Sequence, residues 1–230
     1  MDNILAHIDC NNFYVSCEQV FNPKLKNIPV VVLSNNDGCI VARSNEAKAL
    51  NVGMGVPYFK VEDIIKKNNI TVLSSNYTLY GDMSQRVMNI LTKFTPNIEF
   101  YSIDEAFLSL KDINEYDLNR YGQKIRTTVL RFTGIPVSIG IAKTKTLAKI
   151  ANEYVKKNPK LNGVFDISDF PKMDKLLAHV PVYDVWGIGG AFGEMLMGKN
   201  ILTALDFRDA SEFFVKKGMG VIGLFCVIIR

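Results

Sequence analysis

Short apolar runs alternate along this chain with stripes at helical spacing, and that alternation predicts a mixed fold of strands and helices. Residues 3–9 (NILAHID) are mostly apolar and predict a short buried strand ending on Asp9, followed at once by the helix-like run NNFYVSCEQVF. PVVVLS (29–34) and CIVAR (39–43) are β-rich and separated by NNDG, whose Asp-Gly pair tolerates the positive φ of a tight turn, so they predict a hairpin. EAKALNVGMGVP predicts a short helix ending near Gly53, YFKVEDIIKKNN a second helix and ITVLSS a strand. In TLYGDMSQRVMNILTKF the residues Leu79, Met83, Val87, Ile90, Leu91 and Phe94 form a helical stripe closed by Pro96, and this helix is expected to lie on a sheet. Downstream, YGQKIRTTVLRF predicts a helix, PVSIGIA a strand and TKTLAKIANEYVKK a basic helix.

NIEFYSIDEAFLSL (97–110) breaks the pattern, because two adjacent acids, Asp104 and Glu105, sit inside an apolar run. Strand alternation places Ile98, Phe100, Ser102 and Asp104 on one face and Glu99, Tyr101, Ile103 and Glu105 on the other. Either the strand ends or bends near Asp104, or only one acid faces a given site; a hairpin with AFLSL as its second arm permits both to converge. Strand-end acids in solvent are the plain alternative, which the flanking Ile103 and Phe107 weaken. Buried carboxylates need protons, opposite charges or metal ions, and no Lys or Arg lies close by in sequence. Hard oxygen ligands suit Mg²⁺, and three carboxylates from two strand ends can hold two such ions about 3.5 to 4 Å apart around a phosphate. Asp9, at the end of its own apolar strand, is the natural third ligand.

Composition bounds these expectations. The 230 residues, 48% hydrophobic and 22% charged, can bury one large core or two to three small ones. No apolar run is long enough to span a bilayer, and MDNILAHID lacks the basic region of a secretory signal, so a soluble, cytoplasmic protein with no membrane partner is expected. Cys10, Cys17, Cys39 and Cys226 lie too far apart for a CxxC zinc site and are expected to be reduced thiols in packing roles. The net charge of +4 is unevenly spread: residues 1–110 carry nine Lys and Arg against eleven Asp and Glu, and residues 111–230 carry eighteen against twelve. Within 143–160, six lysines face a single acid, Glu153, which points either to a phosphate-bearing partner or to a solvated helix face.

The order strand, helix, two central strands, helix, strand resembles a split βαβ sheet, mixed or antiparallel, with helices on one face, so the fold class expected is an α+β palm. Near the carboxyl end, VPVYDVWGIGG carries a GIG turn, Gly187 to Gly189, whose glycines let backbone N–H groups approach phosphate as in a helix-hairpin-helix element; a simple inter-helix turn is the alternative.

Six motifs in one order, DCNNFYVSCE, LSNNDGCIVARSNEAKAL, SSNYTLYGDMSQRV, YSIDEAFLSL, GIAKTKTLAKIAN and VWGIG, make the chain closely similar to the Y-family translesion DNA polymerases, with SNNDGC pointing to the UmuC-like branch. The resemblance implies a palm (1–10 and 77–168), a small α/β fingers insertion (11–76) and a small helical thumb with a helix-hairpin-helix element (169–230). It implies error-prone, template-directed DNA synthesis in damage tolerance and SOS mutagenesis, with primer-template DNA and deoxynucleoside triphosphates as substrates. Two Mg²⁺ ions are implied as cofactors, held by Asp9, Asp104, Glu105 and the Cys10 carbonyl. Tyr14 matches a steric gate against the sugar 2′-hydroxyl, with Phe13 beside it. Lys48 and Lys156 match triphosphate-holding cations, with Arg43 assisting, while Asn45 stands where other branches carry a tyrosine. Tyr77, Tyr80 and Arg86 are expected to serve packing.

Lys143, Lys145, Gly187, Gly189 and Lys199 are implied as DNA contacts, although Gly190, Ala191 and Glu194 depart from a basic pattern and Gly190, Gly193 and Gly198 lower helix propensity. The sequence given stops at Arg230 with the apolar GVIGLFCVIIR, an expected aggregation risk, and by the resemblance it is expected to lack counterparts of the little-finger domain and of a clamp-binding peptide. A UmuD′-like accessory dimer is an implied partner. Two readings compete with an active polymerase core: a shortened remnant that binds DNA or proteins with little synthesis, and a nucleotide cyclase sharing the palm, which leaves the fingers and thumb motifs unexplained.

Overall fold

The computed structural model of the chain describes residues 4–111, 113 and 117–227, with the side chains of residues 222 and 224–227 also outside the description. The strands are β1 (Leu5–Cys10), β2 (Val30–Leu33), β3 (Ile40–Arg43), β4 (Thr71–Leu73), β5 (Ile98–Phe100), β6 (Glu105–Ser109), β7 (Val137–Ala142) and β8 (Val164–Asp166). The first helices are α1 (Phe13–Phe21), α2 (Asn45–Ala49), α3 (Glu62–Lys67), α4 (Tyr77–Leu91) and α5 (Leu118–Thr133). The later ones are α6 (Lys145–Lys157), α7 (Met173–Leu177), α8 (Gly190–Met197), α9 (Ala204–Asp209) and α10 (Glu212–Val227). The expected α+β class is what is found: one sheet has the strand order β5-β6-β1-β7-β8 and a second the order β3-β2-β4. Two compact units divide the chain, residues 9–106 with 125–137, and residues 1–8 with 107–124 and 138–230.

In the unit of residues 9–106 and 125–137, β2 is the middle strand of the small sheet, antiparallel to β3 and parallel to β4. Its four residues are all buried, which is why it reads VVVL rather than alternating. The expected β2–β3 hairpin is present, with the positive φ (54°) on Asp37 and the Ser34 hydroxyl donating to Asn36 Oδ1 (2.8 Å) across the turn. α2 starts on Ser44, whose hydroxyl accepts the Ala47 N–H, and stops at Ala49 rather than near Gly53, because Asn51 turns the chain through a left-handed φ of 60°. YFKVEDIIKKNN is not one helix: a 3₁₀ turn at Tyr58–Lys60 and α3 are separated by Val61, at φ −120° and ψ 5°. α4 begins where the Asn76 side chain accepts the Leu79 N–H, and it packs on α1. Its buried face is Tyr80, Met83, Val87, Met88, Ile90 and Leu91, so Tyr80 and Met88 stand in for the expected Leu79 and Phe94.

In the other unit β7 and β8 run parallel, Ile139 opposite Val164, and every residue of β7 is buried. α6 crosses β7 so closely at Gly140 that a Cβ there would collide with the Ala148 carbonyl and the Asn152 N–H. Asn152, fully buried, donates through Nδ2 to the carbonyls of His7 (3.0 Å) and Ser138 (2.9 Å), tying α6 to backbone on β1 and β7. Leu176, Leu177, Val182, Phe207 and Val215 continue this core into the helices that follow. α8 forms despite its glycines, and Gly193 is required because the Tyr183 ring occupies the place of a Cβ. α9 opens with a reciprocal cap in which the Thr203 hydroxyl accepts the Asp206 N–H (3.1 Å) and Asp206 accepts the Thr203 N–H (2.9 Å). α10 is broken at Gly220, where φ is 65°.

Cys10, Cys17 and Cys39 are free thiols, the first two buried, in keeping with packing roles. The Cys226 side chain and most others of the apolar carboxyl-terminal stretch lie outside the description. Among the described residues, no helix is long and apolar enough to cross a membrane.

Candidate active site

The unit of residues 9–106 and 125–137 brings the acids together through three short chain segments. β1 delivers Asp9 and Cys10 and then stops, because Asn12 adopts a left-handed φ of 50° and α1 begins on the next residue. The Cys10 N–H donates to the Asp104 carbonyl (2.9 Å) and the Asn11 N–H to that of Pro136 (2.8 Å). The run at 97–110 does not continue as one strand. β5 ends at Phe100 and β6 begins at Glu105, with the Tyr101 N–H donating to the Glu105 carbonyl (3.0 Å) across a tight hairpin.

Ser102 holds this turn. Its hydroxyl donates to Asp104 Oδ1 (2.7 Å) and accepts the N–H groups of Asp104 (3.3 Å) and Glu105 (3.1 Å). Its signal in the sequence was the Ser-x-Asp spacing, which sequence reasoning passed over.

A cavity of about 330 Å³ opens in this unit and is lined by Asp9, Cys10, Phe13, Tyr14, Arg43, Lys48 and Asp104, all singled out from the sequence. Asn12, Val41, Ala42, Met54, Tyr77 and Ile103 also line it. Glu105, half-buried at the start of β6, is not among the lining residues. Burial and the charges of Asp9, Asp104 and Glu105 push the Cys10 thiol well above its ordinary pKa, so the sulfur stays neutral while three carboxylate fields meet at that residue. Among the described residues no three His, Cys, Asp or Glu side chains stand ready as a cation cage. The donor set still fits a hard divalent ion, since it consists of carboxylates and main-chain carbonyls only.

The cavity lining is also cationic and aromatic. Arg43 donates through Nη1 to the Val52 carbonyl, while its buried Nε has no hydrogen-bond partner among the described residues. Tyr14 lines the cavity and stacks on Tyr80 with centroids 4.2 Å apart and planes 11° apart. Tyr80 is fully buried, its hydroxyl donates to Glu18 Oε1 (2.8 Å), and burial together with that carboxylate pushes the phenol's pKa up. Tyr77 meets Tyr14 edge-on at 5.9 Å and Tyr80 at 6.0 Å and is 45% exposed, so it lines the cavity as well as packing on these rings. Asn45 accepts a hydrogen bond from Asn12 Nδ2 (2.9 Å), joining the start of α2 to that of α1.

The remaining candidates belong to the other unit. Lys156 pairs with Glu153 (2.7 Å) and Lys143 with Asp169 (3.0 Å). Lys145 lies over the Phe107 ring at 5.1 Å, and Lys149, not foreseen, over the indole of Trp186 at 5.5 Å. Gly187 takes a φ of 87° in the GIG turn, Gly189 precedes α8, and Lys199 follows it.

Comparison with solved structures supports the architecture. The chain is similar to the crystal structure of DinB from Sulfolobus solfataricus, with a TM-score of 0.81 and 27% identity over 97% of this chain and 65% of that one. It is similar also to the insertion ternary complex of Dbh DNA polymerase, with a TM-score of 0.82 and 26% identity over 98% of this chain and 67% of that one. The fold is therefore that of the palm and fingers of Y-family DNA polymerases.

Within that class the relatives by sequence are narrower. The chain is 47% identical over 221 residues to the protein UmuC of Salmonella typhimurium, 43% over 220 residues to MucB of Escherichia coli, and 32% over 223 residues to DNA polymerase IV of Saccharolobus solfataricus. These alignments take in 94–95% of this chain but 52%, 52% and 61% of the relatives, so the chain spans about half the length of UmuC and MucB. The chain belongs to the impB/mucB/samB family, whose sequence profile matches residues 8–153.

Proposed function

We propose that this chain is the catalytic core of an error-prone translesion DNA polymerase acting in DNA damage tolerance. The observation that carries the reading is that Asp9, Asp104, Arg43, Lys48 and Tyr14, the last stacked on Tyr80, line one cavity. Acids and cations lining one space of this kind suit a triphosphate and its counter-ions. In this reading the palm comprises residues 1–10 and 77–168, the fingers 11–76 and the thumb 169–230.

Asp9, Asp104 and Glu105, with the Cys10 carbonyl, hold two Mg²⁺ ions. Bound there, the ions supply a lowered pKa at the primer 3′-hydroxyl and charge neutralisation at the leaving pyrophosphate. The carboxylates orient rather than shuttle protons. Arg43, through its unsatisfied Nε, and Lys48 hold the triphosphate of the incoming nucleotide, and Lys156 is assigned the same role on resemblance alone. Tyr14 closes the space where a ribose 2′-hydroxyl would sit. Lys143, Lys145, Gly187, Gly189 and Lys199 contact the DNA backbone, and a UmuD′-like dimer is the proposed accessory partner.

Mg²⁺-dependent primer extension opposite intact and abasic templates, with a chelator control, tests the reading. Asp104→Ala and Glu105→Ala are expected to abolish extension with the melting temperature unchanged; near-normal extension by either sinks the metal assignment. DNA binding without extension by the parent chain favours the second reading, a binding remnant, which the coverage of about half of UmuC keeps in play.

A further inference from the structure

In the unit of residues 1–8, 107–124 and 138–230, a second cavity of about 300 Å³ is lined by Tyr154 of α6, by Phe170, and by Lys172, Lys175, Leu176 and His179 on and around α7. Its apolar walls are braced from behind: Phe165 lies 5.3 Å from the Tyr154 ring and meets Phe170 edge-on at 5.4 Å. Lys172, Lys175 and His179 are exposed and follow one another at three- and four-residue intervals along one side of the segment.

No carboxylate lines this cavity, and the acids close to it in sequence are engaged elsewhere. Asp169 pairs with Lys143 (3.0 Å), Asp174 with Arg208, Asp184 with Lys157 (3.0 Å) and Glu153 with Lys156 (2.7 Å). Neither Lys172 nor Lys175 has an ion-pair partner among the described residues. The charged side chains that line this cavity, Lys172 and Lys175, are therefore cationic. His179 Nδ1 lies 2.7 Å from the Lys175 carbonyl, which can only accept, so Nδ1 carries a proton and the neutral ring keeps Nε2 as an acceptor.

We infer that this cavity binds one nucleotide unit, with its planar base against Tyr154 and Phe170 and its phosphate on Lys172 and Lys175. A flat apolar wall beside a cationic rim is the pairing that holds bases and backbone in single-strand binding sites. The volume is at the lower end of small-molecule sites, about 300–1,000 Å³, which suits a single nucleotide rather than a larger ligand. His179 Nε2 and the Tyr154 hydroxyl supply an acceptor and a donor for the base edge. The same chemistry is offered by a free nucleotide and by one residue of single-stranded DNA, and none of the lining residues is among those assigned to synthesis.

Lysine acetylation of the full chain, read by mass spectrometry in the presence of EDTA, locates the site directly. Deoxyadenosine monophosphate is expected to protect Lys172 and Lys175 saturably, with deoxyribose 5-phosphate and inorganic phosphate at least tenfold weaker. Calorimetry should show binding weakened at least tenfold by Lys172→Ala with Lys175→Ala, two exposed positions whose loss leaves the core intact. A ten-residue oligo-dT that protects at far lower concentration than the mononucleotide identifies single-stranded DNA as the source; the reverse order identifies a free nucleotide. Equal protection by inorganic phosphate, absence of protection by any nucleotide, or protection only by an acidic phenylalanine-containing peptide overturns the assignment.

Discussion

Replacing Ser102 by alanine tests whether the turn between β5 and β6 positions a metal ligand. The Ser102 hydroxyl is the one group that holds Asp104 Oδ1 and the two N–H groups of Asp104 and Glu105 together, at 2.7, 3.3 and 3.1 Å. A hydrogen bond to an ionised carboxylate contributes about 1.5–3 kcal/mol where water is excluded. Ser102 is exposed, so water replaces part of what is lost and about 1 to 1.4 kcal/mol remains for orienting Asp104. At about 1.4 kcal/mol per factor of ten, the Mg²⁺ concentration for half-maximal primer extension should rise about five- to tenfold. The assay is single-nucleotide extension at graded Mg²⁺, with thermal melting as the control for folding. Ser102→Thr, which keeps the hydroxyl, should restore most of the loss. An unchanged Mg²⁺ dependence refutes the positioning argument, and so does a loss explained entirely by a lower melting temperature.

Tyr14→Ala should raise ribonucleotide incorporation relative to deoxyribonucleotide incorporation, measured as the ratio of kcat/KM values; equal discrimination by variant and parent removes Tyr14 as the gate. Asn152→Leu leaves the His7 and Ser138 carbonyls without their buried donor, a loss of about 2–6 kcal/mol at about 1–3 per group, which urea unfolding would read as a lower midpoint. Burial, helped by the Glu18 charge, pushes the Cys17 thiol from its ordinary 9.0 up to about 12. The folded chain thus keeps that proton more tightly than the unfolded one, so the contribution is whole below about pH 9 and falls away as pH climbs toward 12. Between pH 9 and 11, Cys17→Ala should therefore lose less stability than the parent; parallel curves would contradict this.

Features written in neighbouring residues were legible before the structure. The β2–β3 hairpin follows from two β-branched runs around NNDG, and the end of β5 ahead of Asp104 follows from the conflict between strand alternation and two acids expected to converge. Asp9, Tyr14, Arg43, Lys48 and Asp104 do line one cavity. What escaped are contacts between distant positions, which leave no period in the sequence. Tyr80 was assigned to packing, and nothing near it reveals that its hydroxyl meets Glu18, 62 residues earlier. Asn152 sits on the buried face of a lysine-rich helix, where a polar residue looks like an interruption until the carbonyls of His7 and Ser138 are seen beside it. Helix ends were misjudged where a single backbone angle decides, as at Asn51 and Val61. The lysines of α6 looked uniformly available to phosphate, yet Lys145 and Lys149 rest on aromatic rings.

Glu18 stands one turn beyond Tyr14 on α1, and between them they grip Tyr80, one by its ring face and the other by its hydroxyl. The Tyr14 side chain has therefore lost its rotational freedom when the chain folds rather than when a nucleotide arrives. A wall already fixed in place is not entropically penalised at the moment of contact, and it cannot swing aside to make room for one extra oxygen. In the role proposed for Tyr14, sugar selectivity becomes a property of stiffness, set in part by Glu18, a residue outside the cavity lining.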